Sequence, residues 1–504
     1  IFTSGIRSRP QDSVRKSFQI KMSLPAVEML SKLLCNMKNG KAAGLDDITS
    51  EHLKFCHPII MVIMCKLFNL FISIAHIPSC FASSYTVPIP KCDGRTKALM
   101  VDDFRGISIS PVISKLFELA ILDCFSDYFE SSDSQFGFKK DLSCRHVIYS
   151  VRSVIEHYIS NGSTVNICAL DLSKAYDRTN KYALLMQLME RKLPVKLLLI
   201  FEDWLNKSET CVRWGGLNSH FFKLRAGVRQ GGVLSPFFFA IYIDRIVAEI
   251  KAAHVGCHIA SICVSVFLYA DDILLLSPSV TGLQTLLTIC ENVLSDLDMR
   301  LNEKKSVCMR FGARFNSPCA NITSVRGGPL QWVTCCRYLG VYFTSGRQFR
   351  CSFDKAKSGF YRAFNSILSK VGRFASEEVV VNLLVSKCLP CLLYGVEACP
   401  FLVHNKRSFD FVFTRTFMKL FRTGSPAIVK QCQLQFGVLP LRFQVDIRTA
   451  KFLEAFVVSP NSICSVFKQQ ASGQLHNLFA CYGDHVRSFF DIRAKATELF
   501  AASV

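Results

Sequence analysis

The sequence predicts an α+β fold, and three observations support that prediction. A short apolar run at 165–170 ends at Asp171, as a buried strand does, and a helical pattern follows it. Two more apolar runs, 264–269 and 273–276, flank the residues Ala-Asp-Asp, which is the pattern of a hairpin with two acids in its tight turn. Beyond about residue 350 the pattern is mostly helical.

The amino-terminal part begins with two predicted helices. Apolar residues at helical spacing predict an amphipathic helix over 24–37, with Leu30, Leu33, Leu34 and Met37 on one face. The apolar stretch 59–77 is interrupted by polar residues and runs into Pro78. We therefore expect a buried helix there and not a membrane span.

Further elements follow in order. Residues 87–90 predict an extended piece with prolines at its edge, and a second amphipathic helix begins near Ser114. The pattern over 181–193 is helical. After a glycine-rich loop at 227–232, a serine followed by proline resembles an N-cap with proline at the first helical position, so another helix is expected from Ser235.

Composition and charge limit the class of partner. A chain of 504 residues, half of them apolar, can form a large core divided among several domains. The 60 Lys and Arg against 39 Asp and Glu give a formal net charge of +21, which favours a polyanion, either nucleic acid or an anionic membrane surface. The basic residues are dispersed, so we expect a folded basic surface and not a basic arm.

The cysteines favour a reducing, intracellular compartment. All 23 are scattered through apolar segments without the dense framework of small secreted domains. Cys388 and Cys391 have C-x-x-C spacing, but without a suitably placed second pair we favour buried packing over a zinc site. The chain begins at Ile1, with neither a start methionine nor an apolar signal core, so we expect a fragment of a longer protein.

The acids at the strand ends carry the chemistry. Adjacent carboxylates after an apolar strand repel one another unless a cation or solvent offsets the repulsion. Phosphoryl transfer needs hard cations, and carboxylates on adjacent strand ends can hold two Mg²⁺ ions, with Mn²⁺ as an alternative. We expect Asp171 and Asp271 to bridge the ions, with Asp272 close by. An isolated Asp-Asp turn would more simply be a solvated turn.

Several segments resemble a known family. Three segments resemble successive polymerase motifs of reverse transcriptases: Asp171-Leu-Ser-Lys-Ala-Tyr-Asp177, Gly227-Val-Arg-Gln-Gly-Gly-Val-Leu-Ser-Pro236 and Tyr269-Ala-Asp-Asp272. Their sequences are most similar to those of non-LTR retrotransposons. Other segments resemble the remaining blocks of the family in the same order, at 87–91, 104–108, 135–139, 301–306 and 338–341. The segment 389–395 resembles an element found downstream of the polymerase.

The resemblance implies a right-hand polymerase fold, with mainly helical fingers, a palm with an antiparallel sheet, and a helical thumb. It implies an N-terminal helical extension or start of the fingers at 1–84, fingers and palm at 85–345, and a thumb or connection at 346–470. The segment 471–504 carries no usable motif, and its role is open.

The resemblance also implies roles for single residues. Tyr176 matches the aromatic that crowds the sugar 2′ position and so favours deoxynucleotides, with core packing as the alternative. Lys91 and Arg105 match positions that approach the incoming triphosphate, although both could be plain surface residues.

Three further residues match positions near the reacting groups. Gln230 and Gly231 match the loop beneath the nascent base pair, where glycine allows close backbone approach; an ordinary loop before a helix is the alternative. Lys305 matches a lysine sometimes assigned as proton donor to the departing pyrophosphate.

The implied function is RNA-directed DNA synthesis. The partners would be an RNA template, a DNA primer or target, and deoxynucleoside triphosphates, with no membrane, in an intracellular ribonucleoprotein acting on nuclear DNA. Two alternatives stay open: a remnant that binds nucleic acid without polymerising, and an intron-encoded maturase that mainly assists RNA splicing.

Overall fold

The computed structural model describes residues 25–91, 100–372 and 374–504. The start of the first predicted helix, at Leu24, lies outside the described residues. Among those residues, α-helices occupy the following segments: α1 Val27–Asn36, α2 Ser50–Lys54, α3 Ile59–Ile74, α4 Ser79–Ala82, α5 Val112–Cys124, α6 Cys144–Ser160, α7 Ala175–Arg178, α8 Lys181–Glu190, α9 Val195–Lys207, α10 Ser235–Ala252, α11 Val280–Asp296, α12 Asp354–Val371, α13 Glu377–Leu383, α14 Leu389–Leu392, α15 Val403–Leu420, α16 Pro426–Gln435, α17 Leu441–Val457, α18 Ser462–Val466, α19 Lys468–Ala480 and α20 Phe489–Ala501.

The strands and shorter helical turns complete the described elements. The strands are β1 Ser83–Pro90, β2 Phe104–Ile109, β3 Val165–Leu170, β4 Glu209–Trp214, β5 Leu217–Asn218, β6 Phe222–Lys223, β7 His258–Ile259, β8 Ile262–Cys263, β9 Val266–Tyr269, β10 Asp272–Ser277, β11 Val307–Phe311, β12 Ile322–Thr323, β13 Pro329–Trp332, β14 Cys335–Tyr338, β15 Val341–Thr344 and β16 Arg350–Ser352. Short 3-10 helices cover Val101–Asp103 and Ser126–Phe129, and a π-helical turn covers Leu384–Cys388.

The chain divides into two compact units. The first contains the described residues up to Ser131 together with Lys174–Tyr242, and the second contains Ser132–Ser173 and Ile243–Val504. In the first unit, β1 pairs antiparallel with β2 and parallel with β4, and β4 also pairs with β5 and β6. The same unit contains α3, which buries one face through residues such as Phe68 and Ile72.

The second unit contains the larger sheet, with strand order β12-β13-β11-β3-β10-β9. β3 lies between β10 and β11 and is antiparallel to both. Its burial on both faces agrees with its nearly continuous apolar sequence. A second sheet, β14-β15-β16, and a hairpin of β7 and β8 belong to the same unit.

The carboxyl-terminal half of the second unit is helical and folded to its end. One large core continues from the sheet into the helices through residues such as Phe360, Phe413 and Phe452. A smaller core, which includes Tyr482 and Phe500, packs α20 and the preceding loop against α17. The segment 471–504 therefore forms helices that complete this helical layer.

The elements agree closely with those expected from the sequence. β3 has the bounds of the apolar run 165–170, and the hairpin strands β9 and β10 flank Ala270-Asp271. The helix expected from Ser235 begins there. The π-helical turn Leu384–Cys388 joins α13 to α14, whose second residue is Pro390. The α+β class is therefore confirmed.

Two expectations about apolar segments can be compared with the structure. The stretch predicted as a buried helix forms α3, which is buried on one face while Ile59 and Ile74 remain about half exposed. In the part of the chain that the structure describes, no helix combines the length and hydropathy required to cross a bilayer.

The two cysteines with C-x-x-C spacing differ in exposure. Cys388 is buried in the core, and burial raises the pKa of its thiol to about 11, whereas Cys391 is exposed.

Candidate active site

Two neighbouring strands of the large sheet bring the predicted carboxylates together. Asp171 directly follows β3, and Asp272 opens β10. In the antiparallel register Ile273 lies opposite Leu170, so the next step along both strands brings Asp272 beside Asp171. The strand pairing alone therefore gathers acids that lie about a hundred residues apart in the sequence.

The turn between β9 and β10 carries the third acid. Asp272 pairs with Tyr269, which leaves Ala270 and Asp271 as a two-residue turn. Ala270 has a φ of 55°, in the left-handed region that residues with a side chain rarely occupy. Its amide is held at 3.2 Å by the buried side-chain oxygen Oε1 of Gln135. This bond stabilises the unusual conformation that presents Asp271.

The segment around Gln135 is built to support this turn. The same Oε1 atom accepts a second hydrogen bond, at 2.9 Å, from the amide of Gly137. A Cβ atom on Gly137 would lie 2.6 Å from the backbone nitrogen of Ala270, so only glycine fits at this approach. Sequence reasoning recognised the segment 135–139 by resemblance but gave Gln135 no role; its place just before the Phe-Gly-Phe triplet was the available signal.

Asp171 is held by the segment that precedes β11. Its backbone amide donates to Oγ of Ser306 at 3.1 Å, and its Oδ2 accepts from the side-chain amide of Asn302 at 3.0 Å. Nζ of Lys305 lies 3.9 Å from the same Oδ2 atom. Lys305 therefore lies close to Asp171, while its role as proton donor stays a prediction. Asn302 and Ser306 are supports that sequence reasoning missed.

The carboxylates repel one another. The pKa of Asp272 is raised to about 6, first by partial burial and then by the charges of Asp271 and Asp171; Arg337 opposes this shift. Burial and the charge of Asp272 also raise the pKa of Tyr338, whose buried hydroxyl has no hydrogen-bond partner among the described residues. Negative charge at this sheet edge thus exceeds what the neighbouring basic groups compensate.

The three acids suit a hard divalent cation. The repulsion that raises the pKa of Asp272 is the electrostatic state that a bound cation relieves. Among the residues with described structure, no three His, Cys, Asp or Glu side chains are arranged to hold a metal ion by themselves. Mg²⁺ is usually held by one or two carboxylates together with water and substrate phosphates.

The predicted glycine-rich loop contacts a strand of the first unit. The amide of Ser108 in β2 donates to the carbonyl of Gln230 at 2.7 Å. Gly231 has a φ of 126°, and a Cβ atom there would lie 2.3 Å from the carbonyl oxygen of Ser108. The close backbone approach expected of Gly231 is therefore made to the protein's own strand β2.

A buried glutamate fixes the other end of this loop. Oε2 of Glu118, in α5, accepts hydrogen bonds from the amides of Val233 and Leu234 at 2.7 and 2.8 Å. Complete burial raises the pKa of Glu118, while the nearby Arg229 guanidinium opposes the shift. Sequence reasoning gave Glu118 no role, and a lone acid in an apolar helix was the only available signal.

Lys91 and Arg105 lie on paired strands of the same unit. Arg105 is exposed and pairs with Ile89, two residues before Lys91. Nζ of Lys91 donates to the carbonyl of Asp102 at 2.6 Å, and the carboxylate of Asp102 forms an ion pair with Lys174 at 2.7 Å. The two predicted triphosphate contacts are thus neighbours at one end of the β1–β2 pair.

Tyr176 stacks on Phe239, with ring centroids 4.6 Å apart. The carboxylate of the next residue, Asp177, interacts with two of the predicted nucleotide-binding residues, Lys91 and Gln230. Desolvation raises the pKa of its carboxyl, whereas Lys174, Lys91 and a hydrogen bond from Gln230 oppose the rise. The first unit therefore brings Lys91 and Gln230 to one acid, next to Tyr176. That acid was part of the recognised motif but had no predicted role.

Comparisons with known proteins agree with the motifs. Residues 89–343, just over half of the chain, match the family described as Reverse transcriptase (RNA-dependent DNA polymerase). The RNA-directed DNA polymerase from mobile element jockey of Drosophila melanogaster is 22% identical over 474 residues, which cover 90% of this chain and 50% of that protein.

A second relative and a solved structure were also found. The Pol polyprotein from the type-2 retrotransposable element R2DM of Drosophila melanogaster is 24% identical over 58% of this chain and 28% of its own length. The chain thus spans half or less of these two curated relatives. The structure of telomerase from Candida albicans with a TWJ fragment of telomeric RNA aligns with a TM-score of 0.38 and 12% identity, covering 81% of this chain and 68% of that one.

The comparisons confirm the predicted resemblance to polymerases of non-LTR retrotransposons. Enzymes of this kind generally use divalent metal ions. The chain belongs to the reverse transcriptase (RNA-dependent DNA polymerase) family.

Proposed function

We propose that this chain extends a DNA 3′-hydroxyl on an RNA template, as part of a non-LTR retrotransposon protein. The observation that carries the proposal is the carboxylate group formed by Asp171 after β3 and by Asp271 and Asp272 in the adjacent hairpin. Membership of the reverse transcriptase family supports the choice of reaction. The acids serve the metal-dependent phosphoryl transfer that such a polymerase requires.

Two Mg²⁺ ions, or Mn²⁺ in their place, would be held by Asp171 and Asp271, with Asp272 beside them. When bound, such ions hold the triphosphate and stabilise charge on the attacking and leaving oxygens. The raised pKa of Asp272 supports this assignment, because it records carboxylate charge that the neighbouring side chains leave uncompensated.

The chain's own residues would keep these ligands in position. Asn302 and Ser306 orient Asp171 through bonds to its carboxylate and its backbone, and Gln135 fixes the turn that carries Asp271. Because these bonds join segments of one compact unit, the acids need little reorganisation on binding. We assign Lys305 to proton donation toward the departing pyrophosphate, supported by its ammonium group lying 3.9 Å from Asp171.

The first unit would bind the deoxynucleoside triphosphate. Lys91 and Arg105 would contact its phosphates, and Gln230 and Gly231 would lie beneath the nascent base pair. Tyr176 would exclude a 2′-hydroxyl, supported by the stacking on Phe239 that limits movement of its ring. The contact of Gly231 with Ser108 would keep the loop flat where the base pair is formed.

The wider organisation is part of the proposal. We assign residues 85–345 to fingers and palm and 346–470 to the thumb or connection, with 1–84 as the N-terminal extension or start of the fingers. An RNA template and a DNA primer would be the macromolecular partners, favoured by the net charge of +21. The protein would act inside the cell, on nuclear DNA, as a ribonucleoprotein.

Primer extension tests the proposal. The purified chain, with a DNA primer annealed to an RNA template, should incorporate deoxynucleotides in Mg²⁺ or Mn²⁺. Asp271→Asn, which removes a ligand charge without changing shape, should reduce synthesis by about 10³-fold or more while template binding stays within about twofold. Absence of product from the unaltered chain with intact template binding would favour a non-polymerising remnant, and binding restricted to one intron RNA would favour a maturase.

A further inference from the structure

An exposed tryptophan lies at the tip of a hairpin in the first unit. Trp214 ends β4 and pairs with Leu217 across a two-residue turn, in which Gly215 and Gly216 have φ values of 56° and 85°. This left-handed pair is the turn that suits a tight hairpin. Trp214 is 60% exposed and Leu217 is 78% exposed. A side chain as large as tryptophan is normally much more buried, so its exposure indicates a binding surface.

The sheet presents aromatic side chains on the same face as Trp214. Successive residues of a strand point to opposite faces, and directly paired residues share a face. Phe222 pairs with Thr210 and therefore shares the face of Trp214. The ring of Phe104 contacts Trp214 edge-on, with centroids 5.6 Å apart. Phe104 thus supports an indole that remains mostly accessible.

Basic side chains occupy the opposite face of the same strands. The guanidinium of Arg213 lies 3.6 Å from the ring centroid of Tyr85 and donates to Asn218 at 2.9 Å. Arg105 and Lys223 share this face by the strand registers. The sequence has no Asp or Glu from 210 to 243, a stretch that includes the whole hairpin. Glu209 pairs with Lys223 and offsets part of this charge, whereas Arg105 and Arg213 leave the face net positive. The hairpin therefore combines accessible aromatic rings with a net positive charge.

Single-stranded nucleic acid fits this combination. Its bases offer flat faces for stacking on aromatic rings, and its phosphates are attracted by arginine and lysine. A protein partner would use the apolar area of Leu217 as readily as the indole. The basic face distinguishes the two cases, because it attracts a polyanion and adds nothing to apolar packing.

We propose that the hairpin 213–218, supported by Phe104, binds single-stranded RNA by stacking a base on Trp214. The strand would be the unpaired part of the RNA template. Its identity as template rests on the proposed function, whereas the binding itself does not. Arg213 and Lys223 supply the attraction for phosphates, and Trp214 supplies the stacking.

Binding of a labelled 20-nucleotide oligo(U) to the full chain, measured by fluorescence anisotropy at several salt concentrations, tests the proposal. Trp214→Ala should weaken binding about tenfold with an unchanged salt dependence, because stacking is lost and no phosphate contact is removed. Trp214→Phe should retain binding within about threefold, since it keeps an aromatic face. Lys223→Gln should instead flatten the salt dependence, by about 0.7 in logarithmic slope for one lost phosphate contact.

Leu217→Ala is the matched control. It removes exposed apolar area from the paired position without removing an aromatic face, and we expect binding within about twofold of the unaltered chain. Equal losses from Leu217→Ala and Trp214→Ala would overturn the proposal in favour of apolar docking. Unchanged RNA binding by Trp214→Ala, with unfolding temperatures equal, would also overturn it.

Primer extension separates this inference from the proposed function. On a template with a 20-nucleotide single-stranded 5′ overhang, Trp214→Ala should lose several-fold more synthesis, relative to the unaltered chain, than on a template with a one-nucleotide overhang. If the unaltered chain makes no DNA, the polymerase proposal fails while the oligo(U) comparison still decides the role of Trp214.

Discussion

The carboxylate group of the second unit and the glycine-rich loop of the first unit are held in different ways. Strand pairing fixes the backbone around Asp171 and Asp272, but their carboxylates repel one another, and this repulsion raises the pKa of Asp272. The loop at Gln230 and Gly231 has the opposite balance: its backbone bonds are made to Ser108, and it depends on the absence of a side chain at Gly231.

The carboxylate group and the glycine-rich loop should therefore tolerate different substitutions. Charge can be removed from the carboxylates without disturbing the sheet, so catalysis should separate from stability there. Volume cannot be added at the loop without moving β2, so catalysis and stability should change together.

Among the variants that test this comparison, Asp272→Asn gives the largest expected effect, and it tests the first half. Removing the charge should lower DNA synthesis by about 10²–10³-fold, because a carboxylate beside the proposed cation site is lost. Stability should stay equal or rise slightly, because repulsion from Asp171 and Asp271 is relieved. Primer extension and thermal unfolding of the same preparation measure both; a loss of more than about 1 kcal/mol in unfolding free energy would contradict the separation.

The strand-held region, which comprises β3, β9, β10 and the acids Asp171, Asp271 and Asp272, had strands and acids that could be predicted from sequence. β3 and the hairpin follow from continuous apolar runs, and the acids at their ends follow from the same runs. Register is set by contacts between distant segments, so the pairing of Ile273 with Leu170 became visible only in the structure. Gln135 and Asn302 were missed as supports for the same reason, because their partners lie more than a hundred residues away.

For the glycine-rich loop at 227–232, sequence predicted the important residues but not the contacts that they make. Gly231 was expected to allow close approach, yet sequence could not show that the approach is to Ser108. Glu118 was missed because an acid within an apolar helix gives no indication that two backbone amides will reach it. Loops take their conformation from the surfaces they touch, and their own periodicity carries little information.

His146 should make the stability of the second unit depend on pH, independently of the carboxylate group. Burial, followed by the charge of Arg145, lowers the pKa of His146 to about 4, and its ring packs on Phe456. The unfolded chain would take up a proton near pH 6.5 and the folded chain only near pH 4. Stability should therefore be fully present above about pH 6.5 and fall by roughly 3 kcal/mol as the pH drops to 4.

Denaturant unfolding at several pH values measures this loss. His146→Gln removes this titrating group and should lessen the fall between pH 6.5 and 4. Asp272→Asn should instead deepen the fall, because the raised pKa of Asp272 adds stability as the pH drops through 6. An unchanged profile in His146→Gln would show that other groups cause the acid sensitivity.

Gly231→Ala tests the second half of the comparison. The new Cβ atom would meet the carbonyl oxygen of Ser108 at 2.3 Å, so β2 or the loop must shift, at a cost of about 2 kcal/mol or more. DNA synthesis should fall in the same variant. Gly162→Ala is the matched control, because its φ of 75° is also left-handed but no atom lies within 4 Å of the new Cβ. It should cost about 1 kcal/mol and leave synthesis unchanged.

Tyr394→Phe gives the smallest expected effect and asks whether the strand-held region also depends on a contact from outside its sheets. The Tyr394 hydroxyl donates to the carbonyl of Leu339 at 3.1 Å, and its ring lies against Gly340. Leu339 has a φ of 45°, so this turn between β14 and β15 holds an unfavourable conformation. Losing one partly exposed hydrogen bond should cost about 0.5–1 kcal/mol. Hydrogen exchange should then quicken in 335–344 and remain unchanged in β3 and β10, because those strands are paired independently of Tyr394; quickening in all of these strands would show that the two sheets open as one unit.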